Sequence, residues 1–207
     1  QYLLEKEVKS RRATHLVTAH EHHFLLYPGY SMSLKARLPG NGLLPFEAWR
    51  LLHPVFVQVA GWHKQGRCSG SFTLQDIENP PGQPCSLSHF SPDAYRETHQ
   101  ALRSAEGRVN EFYAAPEVVY QAEPSPASDQ AVLGRILFEV IFGGRYPEPG
   151  LRSHLRMLGN LESNQAFAPY IARLGPLSQI FYRLAHSQPE QRFADLDQAI
   201  AAGDQAF

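Results

Sequence analysis

The sequence predicts an α+β fold in which a small β portion is followed by a mainly helical remainder. Three observations point to it. Short β-branched and apolar runs cluster near the start, at residues 14–19 and 24–27. From Pro45 onward apolar residues recur at spacings of three and four, the pattern of helices with one buried face. The stretch Ala131 to Ile141 is apolar nearly all round, which puts it in the centre of a helical layer.

Composition sets the bounds. The 207 residues include 43% hydrophobic and 11% aromatic side chains, enough for one structural domain with a sizeable core. Charged residues reach only 19%, below the usual value of about 25%, which hints at surface that a partner or another segment covers. Nineteen Lys and Arg stand against twenty Asp and Glu, so the net charge of −1 leaves no cationic excess to neutralise many phosphates, which argues against a nucleic-acid partner. The apolar run Val132 to Phe142 is interrupted by Gly134, Arg135 and Glu139, whereas a membrane span needs about 20 nearly unbroken apolar residues. Cys68 and Cys85 are too few for a disulfide framework or a four-thiolate zinc site, so a reducing, cytoplasmic setting is expected. The start, Gln1-Tyr2-Leu3-Leu4-Glu5, has no Met and no basic region before an apolar stretch, and reads as a piece of a longer protein.

The elements follow in order. Leu3–Arg12 has near-helical spacing, and His15–Ala19 with Phe24–Tyr27 predicts a hairpin turning through His20-Glu21-His22-His23, closed by Pro28-Gly29. Pro45 suits a first helical turn, with Phe46, Trp49, Leu52, Phe56, Val59, Ala60 and Trp62 on the buried face; Pro54 inside the run predicts a kink or break. Prolines, serines and a glycine make 79–92 a loop, with a short strand at Cys85-Ser86-Leu87. Ser125-Pro126 opens the central helix and Gly143-Gly144 stops it. Further helices are predicted at Leu151–Leu158, Tyr170–His186 and Ala194–Ala201.

Several clusters carry potential chemistry, and each has a plainer reading. His20-Glu21-His22-His23 holds zinc-type ligands, but alternating strand residues face opposite ways, so a polar turn is expected. Ser69, Ser71 and Thr73 have no His–acid pair at a recognisable spacing and are read as loop residues rather than nucleophiles. Cys68 and Cys85 are expected to be small buried hydrophobes rather than a pair, and Trp49 and Trp62 to pack rather than stack on a ligand. No metal site and no cofactor is expected.

Three later segments resemble the protein-kinase family. Ala115-Pro116-Glu117 is similar to the A-P-E end of an activation segment. Ser128-Asp129 through Leu133-Gly134, Leu137, Glu139 and Gly143 is similar to the central helix of a kinase C-lobe, and Gln188-Pro189-Glu190-Gln191-Arg192-Phe193 to the P-x-x-R-F segment near its end. The resemblance implies that Glu117 pairs with Arg192, and that Asp129 is the helix-capping aspartate whose carboxylate holds the catalytic-loop backbone; a plain N-cap is the alternative. Gly134 belongs to the same conserved-looking frame within that pattern.

Earlier in the chain the frame fits but its chemistry does not. Trp62-His63-Lys64-Gln65-Gly66 through Ile77 runs without a gap along L-H-x-x-G-x-x-H-R-D-L-K-P-x-N-I. Ser69, Gly70 and Ser71 take the H-R-D positions, so a serine stands where a carboxylate would accept the substrate proton. Thr73 replaces the lysine, and Asp76 the metal-binding asparagine. His89-Phe90-Ser91 falls on D-F-G, with imidazole a poor Mg²⁺ ligand in place of the aspartate. Asp76 and His89 together would offer a transition ion only two ligands. No Asp occurs between Trp49 and Gln75, so a shifted register does not restore the base. The Gly-rich loop and the V-A-I-K lysine have no counterpart. The resemblance thus implies residues 1–30 as a partial N-lobe with its hinge and 31–207 as the C-lobe.

The function expected from this is that of a catalytically inactive pseudokinase, a scaffold or regulatory interaction module in a larger assembly. Its partner, another protein or a missing segment of the same chain, would dock on the partial N-lobe at Leu3, Leu4, Val8, Leu25 and Leu26. The rival expectation is an atypical nucleotide-binding transferase with a non-standard site around Asp76 and His89.

Overall fold

The structure, a computed structural model, describes residues 33–70, 72–87, 114–119, 123–144 and 170–207, and the backbone alone of 15–19, 22–26, 168 and 169. The expectations for Leu3–Arg12, Leu3, Leu4, Val8, the hinge, Ser71, His89-Phe90-Ser91 and Leu151–Leu158 lie outside the described residues, as do the side chains of Leu25 and Leu26.

Strands β1 (His15–Ala19) and β2 (His22–Leu26) form an antiparallel pair in the register His15↔Leu26 to Ala19↔His22. The polar tetrapeptide is therefore not all turn: His22 and His23 belong to the second strand. The described helices are α1 (Leu34–Arg37), α2 (Pro45–Lys64), α3 (Pro116–Val119), α4 (Pro126–Ile141), α5 (Ala168–Leu174), α6 (Ser178–Leu184) and α7 (Leu196–Gln205). Single 3-10 turns occupy Gly175–Leu177 and Pro189–Gln191. The described part is mostly helical.

Helix α4 is the axis of the core. Every residue from Ser128 to Ile141 is buried, because α2 lies against one side and α6 against another. Ser125 accepts the Ser128 amide on its hydroxyl, and Ser128 Oγ accepts the Ser125 amide at 3.1 Å, a reciprocal capping box. At the other end Gly143 (φ 72°) and Gly144 (φ 69°) turn the chain left-handed, and the Gly144 amide donates to Glu139 O at 2.6 Å. This is the Schellman arrangement. The remaining terminal carbonyls are met from elsewhere: Leu43 N donates to Val140 O, and Arg173 to Ile141 O at 2.9 Å.

Helix α2 runs unbroken through Pro54 for 20 residues. Ala48, Trp49, Leu52, Val55, Phe56, Val59, Ala60 and Trp62 face the core, but Phe46 is 52% exposed and stands outside it. Gly66 (φ 70°) ends the helix, with Arg67 N donating to Trp62 O at 2.9 Å. Helix α7 packs across α2, and their approach is set by Gly203, where a Cβ would lie 2.1 Å from the Trp49 ring. Gly134 plays the same part between α4 and α6: its Cβ would lie 3.0 Å from Leu184 Cβ.

The predicted helix over Tyr170–His186 is two helices. Gly175 at φ +53° followed by Pro176 divides it, since proline has no amide to continue the ladder. The last helix starts at Leu196 rather than Ala194, capped by Asp195 on the Gln198 amide at 2.8 Å. The strand expected at Cys85–Leu87 is reduced to a single bridge, Glu78↔Ser86.

Candidate functional site

The candidate site is the loop 66–79, which leaves α2 and returns beneath α1, with the N-terminal end of α4 behind it. Asp129 is fully buried and its carboxylate is the hub. Oδ1 accepts the Gly70 amide at 2.6 Å and the Ser69 amide at 3.2 Å; Oδ2 lies 3.2 Å from Ser69 N and 2.9 Å from His63 Nε2. The imidazole of His63 and the carboxylate of Asp129 share the last of these hydrogen bonds. Asp129 does not cap its own helix: Ser125 does that, and Asp129, the fourth residue of α4, reaches across to the loop.

Ser69 is 3% exposed, and Cys68 Sγ donates to Pro124 O at 3.2 Å. Gly70 has φ +70°, and a Cβ there would meet Pro124 Cβ at 2.8 Å, so neither the backbone nor the space admits a side chain. Further on, Asp76 Oδ2 accepts both the amide and the hydroxyl of Thr73, at 2.7 and 2.8 Å, and Thr73 Oγ1 accepts the Gln75 amide. Asp76 closes a local turn.

A second polar cluster lies beside it. Arg192 has a fully buried side chain, and its guanidinium donates to Glu117 Oε1 at 2.7 Å and Oε2 at 2.9 Å, to Ala127 O and, through Nε, to His186 O. Ser128 Oγ donates to Glu117 Oε1 at 2.9 Å, so the box that caps α4 is tied to the pair. Burial alone raises the Glu117 carboxyl, but the hydrogen bonds and charge of Arg192, with the Ser128 hydroxyl, outweigh it and hold the group below its ordinary 4.5. Two more buried polar groups fix the surroundings. Gln130 exchanges two hydrogen bonds with the Phe193 backbone, and Arg135 donates to Ala114 O at 2.6 Å.

Of the residues singled out in the sequence, the structure brings together Asp129 with Ser69 and Gly70, Glu117 with Arg192, and Thr73 with Asp76. Cys68 and Cys85 are separate free thiols; Cys68 is half-buried rather than buried. Burial pushes the Cys85 thiol up to about 11 against the opposing charge of Arg37. Sequence reasoning missed His63 as a ligand of Asp129, although it holds the H of the L-H-x-x-G stretch, and missed Ser128 and Gln130. Among the described residues no group of three or more His, Cys, Asp or Glu is placed to hold a metal ion, and no helix is long and apolar enough to cross a membrane.

The class defined by fold and site is a mostly helical domain whose central helix holds the backbone of a loop at Ser69 and Gly70 by one buried carboxylate. No family model matches the chain, and no curated protein matches it.

Proposed function

We propose that the chain is a degenerate kinase-like module, a pseudokinase, that serves as a scaffold or regulatory interaction domain in a larger cytoplasmic assembly and does not transfer phosphate. The observation that carries this reading is Gly70. It occupies the place of the arginine in H-R-D, in a left-handed conformation pressed against Pro124. The loop's backbone is held by Asp129 while its geometry excludes the side chain that the resembled motif requires.

Two further features support it. The Glu117–Arg192 pair and the close approach at Gly134 belong to the frame of a kinase C-lobe, which is the part the resemblance retains. Asp76 is committed to Thr73 N and Oγ1, which favours the scaffold over a transferase built on Asp76 and His89. Phosphoryl transfer draws nearly all its stabilisation from positioned metal ions and charge, so a site without them loses many orders of magnitude in rate. On this reading residues 1–30 are a partial N-lobe, and Leu3, Leu4, Val8, Leu25 and Leu26 take the partner.

The test is thermal melting with and without Mg·ATP, alongside a phosphotransfer assay. The expected outcome is no saturable shift and no labelled product. Saturating ligand at 100 times its dissociation constant adds about 2.7 kcal/mol, so a saturable rise of more than about 2 °C overturns the proposal.

A further inference from the structure

The large hydrophobic side chains that stand exposed among the described residues gather on one face. Leu44 (67% exposed), Phe46 (52%) and Val57 (49%) belong to the outward side of α2 and its N-cap, and Phe207 (49%) lies beside them just past the end of α7. Val57 follows Phe46 by about three helical turns, which keeps both on one stripe of the helix. The rings of Phe46 and Phe207 meet edge to face at 5.4 Å. Exposed apolar residues scattered singly need no explanation, but a gathered patch marks a contact surface.

The charges set into this face select its occupant, because both signs are present. Glu47 and Arg50 line one groove together with Leu44 and Phe46, and Asp204 and His53 line another with Phe46 and Phe207. A partner of a single sign meets a like charge on either side of Phe46. A second copy of the chain does not. When two α2 helices cross antiparallel about a two-fold axis passing between Glu47 and Arg50, each copy's Arg50 comes opposite the other's Glu47, and the two Phe46 side chains lie next to the axis. Glu47 Oε2 accepts the Leu44 amide at 3.0 Å, which leaves most of the acceptor positions of the carboxylate for a guanidinium fork. Asp204 is engaged by the Trp49 indole N–H at 3.0 Å and lies 3.5 Å from His53 Nε2, whereas Arg50 makes no hydrogen bond or ion pair among the described residues. The net charge of −1 sets up little repulsion between copies at long range.

We propose that this face of α2 joins two copies of the chain in a two-fold dimer, in which Arg50 of each copy pairs with Glu47 of the other around the apolar contacts of Leu44, Phe46 and Phe207. The inference rests on α2 and α7 and does not depend on the kinase-like reading.

The test is sedimentation velocity of the full chain over a rising concentration series, which is expected to pass from one species to a second of twice the mass. Arg50→Glu sets acid against acid in both halves of the interface, and Phe46→Ser removes the central apolar contact; each should raise the dimer dissociation constant about tenfold or more. Lys35→Glu, the same charge change at an exposed position of α1, should leave it unmoved. Glu47→Arg should weaken the dimer by itself and restore it when mixed with the Arg50→Glu chain, because the mixed pair again opposes unlike charges in both halves. Melting temperatures report whether each variant is folded, and if Glu47→Arg melts lower through loss of the Leu44 bond, Arg50→Glu and Phe46→Ser decide. A chain that is monomeric at every concentration, a dimer indifferent to Arg50→Glu or to Phe46→Ser, a response to Lys35→Glu as large as that to Arg50→Glu, or folded charge-reversed chains that do not recover on mixing overturns the proposal.

Discussion

Glu117 and Arg192, 75 residues apart in the chain, meet through two parallel hydrogen bonds of 2.7 and 2.9 Å, and the arginine side chain is wholly buried there. The same guanidinium also satisfies two backbone carbonyls, so it knits three segments that are otherwise distant. Removing one partner of such a pair strands the other in a low-dielectric site. Arg192→Met is expected to lower stability by about 3 kcal/mol, read from chemical denaturation.

The pair also sets an acid limb. Because the folded Glu117 carboxyl lies below its ordinary 4.5, its contribution is complete above that pH and is lost as pH falls through the folded value. Glu117→Gln should therefore lower stability at neutral pH and flatten the decline below pH 4.5. A variant whose acid limb superimposes on the parent's would assign the decline to other carboxylates.

Asp129 makes its own prediction. It is buried, accepts from two loop amides and shares a hydrogen bond with His63, and hydrogen bonds to a charged group are worth about 1.5–3 kcal/mol each. Asp129→Ala should destabilise the fold by at least about 3 kcal/mol and release the Ser69 and Gly70 amides to solvent exchange. Amide hydrogen exchange at those two positions measures the local effect apart from the global one.

Gly70 and Gly203 differ in why they are glycines. At Gly70 the backbone is left-handed, so Gly70→Arg, which would restore the arginine of H-R-D, is expected to cost about 2 kcal/mol or more and to restore no phosphotransfer. At Gly203 the obstacle is Trp49, whose ring lies 2.1 Å from where a Cβ would stand. Gly203→Ala should push α7 from α2 and lower the melting temperature, with a change in Trp49 fluorescence that Gly70→Arg does not produce.

Cys85 should be inert. With its thiol raised to about 11 and buried at 3% exposure, it holds almost no thiolate at neutral pH. Iodoacetamide is expected to leave Cys85 unmodified in the folded protein and to modify it after denaturation, as peptide mass mapping would reveal.

The limits of α4 were legible because both are locally encoded: Ser125-Pro126 builds the cap and Gly143-Gly144 the left-handed stop. The break at Gly175-Pro176 was equally local, yet the apolar spacing on either side continued across it and masked it. Phe46 shared the spacing of the core residues of α2 but stands at the helix's outer edge, where periodicity alone does not separate inside from outside. Pro54 removes one amide from α2 without ending it. His63 was missed because its partner lies 66 residues away, a distance over which spacing carries no information. The meeting of Glu117 and Arg192, by contrast, was anticipated only through the resemblance of two short motifs, since nothing local joins them.

The carbonyls at the end of α4 have a consequence for how the chain is assembled. Their partners come from Leu43, ahead of α2, and from Arg173, beyond α4 in sequence, as well as from the adjacent Gly144. The innermost helix thus stays unfinished until its outermost neighbours have arrived. Such a chain has little to gain from a half-built state, and its helical part should melt as a single transition rather than helix by helix.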